Sequence, residues 1–148
     1  MESGEWLPHL TVATIIERDG RFLLVEEYAD GEELVYNQPA GHLDAHETLA
    51  AGAIRETLEE TAWEVDVSAV VGVYYWTHPK GHTFVRTCFA GAALYYHPNQ
   101  RLDDGIERTV WLTRDEVAAL GPRLRSPLVL RCIDDYLAGK RYPLELFS

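Results

Sequence analysis

The sequence predicts a single α/β domain, residues 1–148, in which strands and helices follow one another irregularly. Three observations support this class. The chain has 148 residues, the usual length of one domain. Hydrophobic residues make up 47% of it, which favours a folded core over disorder. Strand-like runs are separated in some places by turns and in others by helix-forming stretches, which disfavours a regular doubly wound parallel sheet.

Strand signals dominate the first part of the chain. His9–Glu17 is rich in β-branched residues, and Arg21–Tyr28 follows it after Arg18-Asp19-Gly20, a turn of the Asp-Gly type. Leu34–Asn37 is a short extended piece before the proline-containing segment 39–43, which is predicted to be a loop. We expect the later strands over 65–76, 82–96 and 109–112, with a turn over 78–81 and a polar loop over 97–105.

Three segments have helix signals. Glu47–Trp63 has an alanine-rich composition with apolar residues that can line one face. Thr113–Leu120 begins with a capping box, in which Thr113 is the N-cap and Glu116 is the third helical residue. Ser126-Pro127 places an N-cap before a proline suited to the first helical position, and the helix that follows should run to about residue 138, before a glycine.

The charge of the chain restricts its partners. Lys and Arg total 13 against 24 for Asp and Glu, which gives a net charge of −11. A field of this sign repels phosphate backbones and anionic membranes, so we expect no nucleic-acid partner and no membrane partner. An anionic ligand would need a local positive charge, and a metal ion is the obvious source.

Cysteine usage and the N-terminus favour the cytoplasm. Cys88 and Cys132 are 44 residues apart and form no CxxC pair, which makes zinc binding improbable and predicts two reduced thiols. The first ten residues have neither a basic nor an apolar region of the kind found in signal peptides. No run of 18 apolar residues is present.

Three glutamates share one face of the first predicted helix. Glu56, Glu59 and Glu60 are spaced i, i+3 and i+4, where like charges repel. The residues four positions further on are Glu60, Trp63 and Glu64, so no basic side chain relieves the repulsion locally. A solvated helix face is one interpretation. The helix is otherwise apolar, however, and oxygen ligands on a rigid face suit Mg²⁺ or Mn²⁺.

The glutamates belong to a longer pattern, Gly41-x5-Glu47-x7-Arg55-Glu56-x2-Glu59-Glu60. This string resembles the Nudix box, and all of its fixed Gly, Glu and Arg positions up to Glu60 match. The sequence departs at Thr57, where an aliphatic residue is usual, and at Ala62, which lacks the freedom of the usual glycine to turn the chain. Outside the box, the chain resembles the NudJ-type phosphatases of this family over segments 9–13, 37–43, 125–129 and 141–145.

The resemblance implies a Nudix-type α/β/α sandwich with a mixed β-sheet between helices. It also implies Mg²⁺-dependent hydrolysis of nucleoside tri- and diphosphates or of hydroxymethylpyrimidine pyrophosphate. Glu56, Glu59 and Glu60 would hold the metal, with the backbone carbonyl of Gly41 as a further ligand. Glu56 or Glu59 would be the general base, a choice that the sequence leaves open. Arg55 would be a catalytic residue together with Glu56 and Glu59.

Other candidates come from single residues. The spacing of Glu47 and Arg55, two helical turns apart, predicts an ion pair that holds the loop to the helix. Family members often have an additional metal ligand just before the last strand, where Glu107 stands four residues before Trp111, with Asp103 and Asp104 as weaker candidates.

Substrate contacts are expected from three further residues. His42 follows the box glycine, and Arg86 is one of several cations that could bind phosphate, together with Lys80 and Arg18. Trp76 ends the run Tyr74-Tyr75-Trp76, in which alternation puts Tyr74 and Trp76 on one side of a strand, either in the core or stacked on a substrate ring.

Three competing functions stay open at this point. ADP-ribose pyrophosphatases of the family have a proline about sixteen residues past the box, where Pro79 stands, although it also fits a plain turn. The chain could also be a non-catalytic nucleotide-binding Nudix module, or an acidic interaction scaffold. The sequence does not identify the physiological substrate. It also leaves open whether phosphate or pyrophosphate is released, how many metal ions bind and what the oligomeric state is.

Overall fold

A computed structural model describes residues 4–147. Its strands are β1 (His9–Arg18), β2 (Arg21–Ala29), β3 (Glu33–Asn37), β4 (Ala40–His42), β5 (Trp63–Thr77), β6 (Thr83–Tyr96) and β7 (Ile106–Thr113). Its α-helices are α1 (Leu49–Thr61), α2 (Arg114–Ala119) and α3 (Leu128–Leu137), and single 3₁₀ turns lie at Gly121–Arg123 and Leu144–Leu146.

The strands form a mixed seven-stranded sheet. The path runs β3-β2-β1-β6-β5, with β4 beside β1 and β7 beside β2, and β1 and β6 are parallel. β1 pairs with β2 only next to their turn, at Glu17–Phe22 and Arg18–Arg21. Further along, residues 11–13 of β1 pair with β4 instead. The sheet therefore splits where β4 pairs with β1. Beyond the turn, β2 and β3 no longer pair with β1.

Alternation along β1 produces two cores, one on each face of the sheet. Val12 is fully buried and packs in a cluster with Ala53 of α1. Its neighbour Ala13 points the other way and packs in a cluster with Val129 and Cys132 of α3. Helices therefore cover both faces, which confirms the predicted Nudix-type α/β/α sandwich with a mixed sheet.

Local signals define both ends of α1. The Thr48 hydroxyl accepts a hydrogen bond from the Ala51 N–H at 3.1 Å and caps the N-terminus. At the other end, Ala62 adopts a left-handed conformation with φ 63°, and its N–H donates to the carbonyl of Leu58. A residue with a Cβ pays roughly 1–2 kcal/mol for this conformation, so Ala62 makes the turn that glycine makes in the family pattern at an energetic cost.

Several element boundaries differ from the sequence prediction. Segment 40–42, predicted to be a loop, forms β4 because it pairs with β1, and β7 begins at Ile106 because its pairing with β2 starts there. The first helix starts at Leu49, two residues later than expected. The last helix starts at Leu128, and the Ser126 hydroxyl accepts a hydrogen bond from the Leu128 N–H. Within residues 4–147, no helix has both the length and the apolar character needed to cross a membrane.

Candidate active site

A cluster of three carboxylates lies at the C-terminal half of α1. Glu56, Glu59 and Asp103 each offer one oxygen, and these three oxygens lie within 4.8 Å of one another. Asp103 comes from the loop between β6 and β7. Its backbone N–H donates to the carbonyl of Glu59 at 3.0 Å, and the Gln100 amide donates to the carbonyl of Leu58 at 2.6 Å. The loop thus satisfies carbonyls at the end of α1 while it delivers Asp103.

Arg55 connects the box glutamates. Its guanidinium makes a two-pronged contact with Glu47, with Nε donating at 2.7 Å and Nη2 at 2.9 Å. Its Nη1 donates to Glu56 at 2.8 Å and to Glu59 at 2.9 Å. Nη2 also donates to the His42 carbonyl at 3.2 Å, which holds the β4 segment against the helix. One arginine therefore orients three carboxylates and the loop before them.

The pKa values of the carboxylates are shifted in different directions. The hydrogen bond from Arg55, together with the Asp44 N–H, lowers the pKa of Glu47 to about 2. Burial raises the pKa of Glu56, although Arg55 opposes this effect. Burial, followed by the charge of Glu59, also raises the pKa of Asp103. The cluster thus holds more negative charge than Arg55 relieves, and a divalent cation would stabilise it.

Glu60 faces a different environment from the other glutamates of α1. Its side chain is 7% exposed, and its Oε1 accepts a hydrogen bond from the Ala40 N–H at 2.9 Å. Burial, and then the negative charge of Glu27, raise the pKa of Glu60 to about 9. In the absence of a cation, its surroundings therefore favour the neutral carboxylic acid over the carboxylate. It lies beside the carboxylate cluster but outside the three-oxygen group.

Gly41 lies against Glu56. A Cβ at this position would collide with both carboxylate oxygens of Glu56. Its φ is not in the left-handed region, so the requirement for glycine comes from this close approach and not from a turn. The absence of a side chain therefore lets β4 and the Glu56 carboxylate meet.

Glu107 lies elsewhere. Its carboxylate accepts a hydrogen bond from the Tyr28 hydroxyl at 3.3 Å, and the Tyr28 N–H donates to the Gly105 carbonyl. Asp103, which the sequence ranked lower, is the loop carboxylate that meets Glu56 and Glu59. A metal-binding role for Glu107 stays a prediction.

A cavity of about 630 Å³ adjoins the carboxylates, and this size suits a small organic ligand. Gly41, Glu56 and Glu60 line one part of it. The sequence-predicted substrate residues His42, Trp76 and Arg86 also line it, so the fold brings together residues from β4, α1, β5 and β6.

Aromatic rings form one wall of the cavity. Trp76 and Phe84 are stacked with centroids 6.0 Å apart, and His9 is stacked on Phe84 at 5.0 Å. The Nε2 of His42 lies 3.1 Å from the Nδ1 of His9, and burial, followed by the charges of His9 and Arg125, lowers the pKa of His42. Trp76 packs on the α3-side core as well as lining the cavity.

The neighbours of Trp76 follow the expected alternation. Tyr74 lies in the core on the α3 side, and its hydroxyl donates to Asp135 at 2.7 Å. Tyr75 is 66% exposed on the other face of the sheet.

Arg86 is buried, with 6% of its surface exposed. Its Nη1 donates to the side-chain carbonyl of Gln38 at 2.7 Å, and its Nη2 donates to that of Asn37 at 2.8 Å. The amide of Gln38 is fixed in turn, because its Nε2 donates to the Val129 carbonyl at 2.7 Å.

Three residues that line the cavity, Glu27, Asn37 and Arg125, were not identified from the sequence, and neither was Gln38, the partner of Arg86. Asn37 donates to Glu27 at 3.3 Å, and Arg125 donates to the same oxygen at 3.0 Å, while Gln38 holds Arg86. Glu27 is 9% exposed. For Asn37, Gln38 and Arg125, the only indication in the sequence was that they belong to segments that resemble the family outside its box. Glu27 lies in an ordinary strand pattern and gave none.

Comparison with known proteins agrees with this geometry. The family profile described as NUDIX domain matches residues 7–131. Phosphatase NudJ of Escherichia coli K12 is 40% identical over 141 residues, which are 95% of this chain and 91% of that protein, and Phosphatase NudJ of Shigella flexneri has the same values. A NUDIX hydrolase structure from Nitrosomonas europaea is 43% identical, covers 96% of this chain and 97% of its own, and superposes with a TM-score of 0.94.

The profile match extends over most of the chain, and the relatives match from end to end at an identity well above the level at which only the fold is shared. Three of the box glutamates, Glu47, Glu56 and Glu59, meet around Arg55. The chain therefore belongs to the Nudix family and is a hydrolase of the phosphatase or pyrophosphohydrolase type.

Proposed function

We propose that the protein is a Mg²⁺-dependent hydrolase of the phosphoanhydride bonds of nucleoside tri- and diphosphates or of related diphosphates such as hydroxymethylpyrimidine pyrophosphate. The observation that carries the proposal is the cluster of Glu56, Glu59 and Asp103 at the edge of a ligand-sized cavity. The name of the relatives, Phosphatase NudJ, supports release of phosphate.

The donor set fits a hard divalent cation. The cluster consists of carboxylate oxygens alone, which suits Mg²⁺ and, as a substitute, Mn²⁺. Glu56, Glu59 and Asp103 would hold the ion, with Glu60, the Gly41 carbonyl and Glu107 as further candidate ligands. When bound, such an ion neutralises phosphoryl oxygens and acidifies water.

Residues of the chain have the other catalytic and substrate-binding roles. Glu56 or Glu59 takes the proton of the attacking water, since both carboxylates lie in the cluster. Arg55 positions both, because its Nη1 donates to each of them. His42, Trp76 and Arg86 hold the rest of the substrate in the cavity, with the Trp76–Phe84 wall as a surface on which a flat ring can stack.

The deciding experiment measures phosphate and pyrophosphate release from a panel that includes nucleoside tri- and diphosphates, hydroxymethylpyrimidine pyrophosphate and ADP-ribose, with Mg²⁺ and with a chelator. We expect hydrolysis only with Mg²⁺. Glu59→Gln should lower kcat at least about 100-fold, as expected when a group that acts in the transition state is removed.

Asp66→Asn is the matched control, because Asp66 is exposed on β5 and does not line the cavity. It should leave the rate within about twofold of the wild-type rate. A strong preference for ADP-ribose would support the pyrophosphatase alternative. Undiminished activity of Glu59→Gln would refute the role of Glu59, whereas no activity on any substrate would favour a non-catalytic binding module.

We also propose a cytoplasmic location. Cys88 and Cys132 are both free and buried, as expected for thiols kept reduced. Fractionation of the native host, with detection of the protein in the cytoplasmic or the extracytoplasmic fraction, tests this directly.

A further inference from the structure

Glu27 is a buried carboxylate that lines the cavity but is only half engaged by the protein. It is 9% exposed and lies on β2. Its Oε2 accepts two hydrogen bonds, from Asn37 at 3.3 Å and from Arg125 at 3.0 Å. Within residues 4–147, the structure has no hydrogen bond to its Oε1. One oxygen of this carboxylate is therefore left for another donor.

The unused oxygen of Glu27 opens into the cavity. Every fully buried side-chain oxygen or nitrogen of the described residues has a hydrogen-bond partner. Because the Oε1 of Glu27 has none, this atom must have accessible surface, and the cavity is the space that Glu27 lines. A ligand that fills this part of the cavity without offering a donor would leave a desolvated carboxylate oxygen unpaired, which weakens binding.

A carboxylate does not suit the phosphate chain of a substrate. A phosphoryl oxygen beside Glu27 would meet a like charge. A bound cation could relieve such repulsion at the cluster of Glu56, Glu59 and Asp103, but Glu27 does not belong to that three-oxygen group. Glu27 therefore fits the uncharged part of the substrate, and the strongest donors there are the N–H groups of a heterocyclic ring.

Asn37 provides a donor next to this acceptor. Arg86 has only donors, so the amide atom of Asn37 that it contacts at 2.8 Å must be the oxygen, and the NH₂ group faces Glu27. One hydrogen of that group is directed to Glu27, and the other has no partner among residues 4–147. Asn37 also lines the cavity. Neighbouring side chains thus present one acceptor and one donor to a ligand.

This pair lies close to the aromatic wall. Asn37 contacts Arg86, and Phe84 lies two residues before Arg86 on the same face of β6, with the two Cα atoms about 7 Å apart. Phe84 is stacked with Trp76. A flat ring that stacks on this wall therefore has one edge within reach of Glu27 and Asn37.

We propose that Glu27 determines which ring the hydrolase accepts. Its Oε1 accepts a hydrogen bond from an exocyclic amino group, and the Asn37 N–H donates to the ring nitrogen beside that group. The substrate class is therefore a diphosphate or triphosphate with a 4-aminopyrimidine or 6-aminopurine edge, as in cytosine and adenine. Uracil and hypoxanthine present a carbonyl and an N–H in these places, so acceptor meets acceptor and donor meets donor. This inference narrows the substrate of the proposed function and rests on it for the reaction.

The first test compares kcat/KM of the wild-type protein for CTP against UTP and for ATP against ITP, with Mg²⁺. Within each pair the sugar and the phosphate chain are identical, and only the amino group and the adjoining ring nitrogen differ. We expect the amino-bearing member to be preferred at least about 10-fold, because a site built for an N–H donor discriminates against an analogue that lacks it. A ratio near one in both pairs would overturn the proposal.

Glu27→Gln tests the residue itself. Arg125 and Asn37 both donate to this side chain, so the glutamine oxygen should stay with them and its NH₂ group should replace Oε1. A donor then faces the amino group. The KM for CTP should rise at least about 10-fold with little change in kcat, and the CTP-to-UTP ratio of kcat/KM should fall toward one. Loss of a merely structural ion pair would leave that ratio unchanged, which would contradict the role of Glu27.

Glu32→Gln is the matched control. It makes the same chemical change at an exposed residue of the turn before β3 that does not line the cavity. Both the KM for CTP and the CTP-to-UTP ratio should stay within about twofold of the wild-type values.

If Glu27→Gln does not fold, the wild-type protein still decides through substrate analogues. The CTP analogue with hydrogen in place of the amino group should bind at least about 10-fold more weakly than CTP, because Oε1 then has no donor. The 3-deaza analogue of CTP, which lacks the ring nitrogen beside the amino group, should also bind more weakly. Binding of both analogues as tight as that of CTP would refute the contacts of Glu27 and Asn37.

Calorimetry with methylene-bridged analogues of CTP and UTP separates this proposal from the proposed hydrolysis. A preference for the CTP analogue that depends on Glu27, in a protein that hydrolyses nothing in the panel, leaves the ring site standing and refutes the hydrolysis. Equal hydrolysis of CTP and UTP, with ATP and ITP also equal, refutes the ring site and leaves the hydrolysis standing.

Discussion

Glu47 and Glu60 belong to the same box, yet their environments shift their pKa values in opposite directions. Glu47 receives two hydrogen bonds from Arg55, which lower its pKa to about 2. Glu60 is enclosed beside Glu27 with a single backbone donor, and its pKa rises to about 9. Spacing in the sequence places both residues, but only the surroundings in the folded chain decide which of them is ionised.

The raised pKa of Glu60 has a consequence for stability without metal. A carboxyl whose pKa is raised on folding stabilises the native state fully below its unfolded pKa, near 4.5, and this contribution disappears as the pH rises through about 9. Glu60→Gln removes the titration. In chelator, the wild type should lose at least about 1.4 kcal/mol more unfolding free energy than the variant between about pH 5 and pH 9. Urea unfolding at several pH values measures this difference.

Glu32→Gln provides the reference for that experiment, since Glu32 is exposed in the turn before β3. It should follow the wild-type pH dependence. Parallel curves for the wild type and Glu60→Gln would mean that Glu60 ionises normally in the folded protein.

Gly41 has a steric role that a single methyl group tests. Because a Cβ at residue 41 would overlap the carboxylate of Glu56, Gly41→Ala must displace that carboxylate from the cluster with Glu59 and Asp103. We expect kcat to fall at least about 10-fold with a smaller change in melting temperature, since catalytic geometry tolerates displacements of only about 1 Å. Wild-type kcat in a folded variant would show that Glu56 need not occupy this position.

Within α1, Thr57 shows why an element can depart from its family pattern. A threonine stands where an aliphatic residue is usual, and its buried hydroxyl donates to the Ala53 carbonyl at 2.8 Å. It also lies 3.2 Å from the hydroxyl of Thr14, on the strand against which α1 packs. One hydrogen bond joins the two hydroxyls across the helix–strand interface, so the departure on α1 is matched by a polar residue on β1.

A double-mutant cycle tests this match. Thr57→Val leaves the Thr14 hydroxyl buried without its partner, so we expect a loss of about 1–3 kcal/mol in unfolding free energy. Adding Thr14→Val removes the unsatisfied group, and the double variant should recover about 1 kcal/mol or more. Additive losses in denaturant unfolding would show that the two hydroxyls are independent.

Helices and strands could be predicted from the sequence where they depend on residues that are close together in the chain. Helix α1, the capping box at Thr113 and the strand pair around Asp19-Gly20 depend on neighbours in sequence, and they form near their predicted places. β4 could not be predicted, because three residues become a strand only through pairing with β1. Asp103 was ranked low for the same reason. Its place beside Glu59 is set by a loop that docks on a distant helix.

At the scale of the whole molecule, the site is an assembly of parts that are far apart in sequence. The box supplies Glu56 and Glu59, and loop 97–105 adds Asp103. β6 supplies Arg86 from beyond the parallel partner strand β1. The net charge of −11 works against binding an anion, so the local cations must overcome it. The division of the sheet beside β4 gives these parts a shared cavity.

The docking of loop 97–105 predicts that a residue outside the carboxylate cluster controls the affinity for metal. Gln100 donates to the Leu58 carbonyl at 2.6 Å and anchors the loop that carries Asp103. Gln100→Ala should loosen this anchor, so that Mg²⁺ raises the melting temperature less and the Mg²⁺ concentration for half-maximal activity increases about 3- to 10-fold, the loss typical of one hydrogen bond. Asn99→Ala, at an exposed neighbouring position, should match the wild type. An unchanged Mg²⁺ requirement for Gln100→Ala, with Asp103→Asn strongly impaired, would mean that Asp103 holds its position without this anchor.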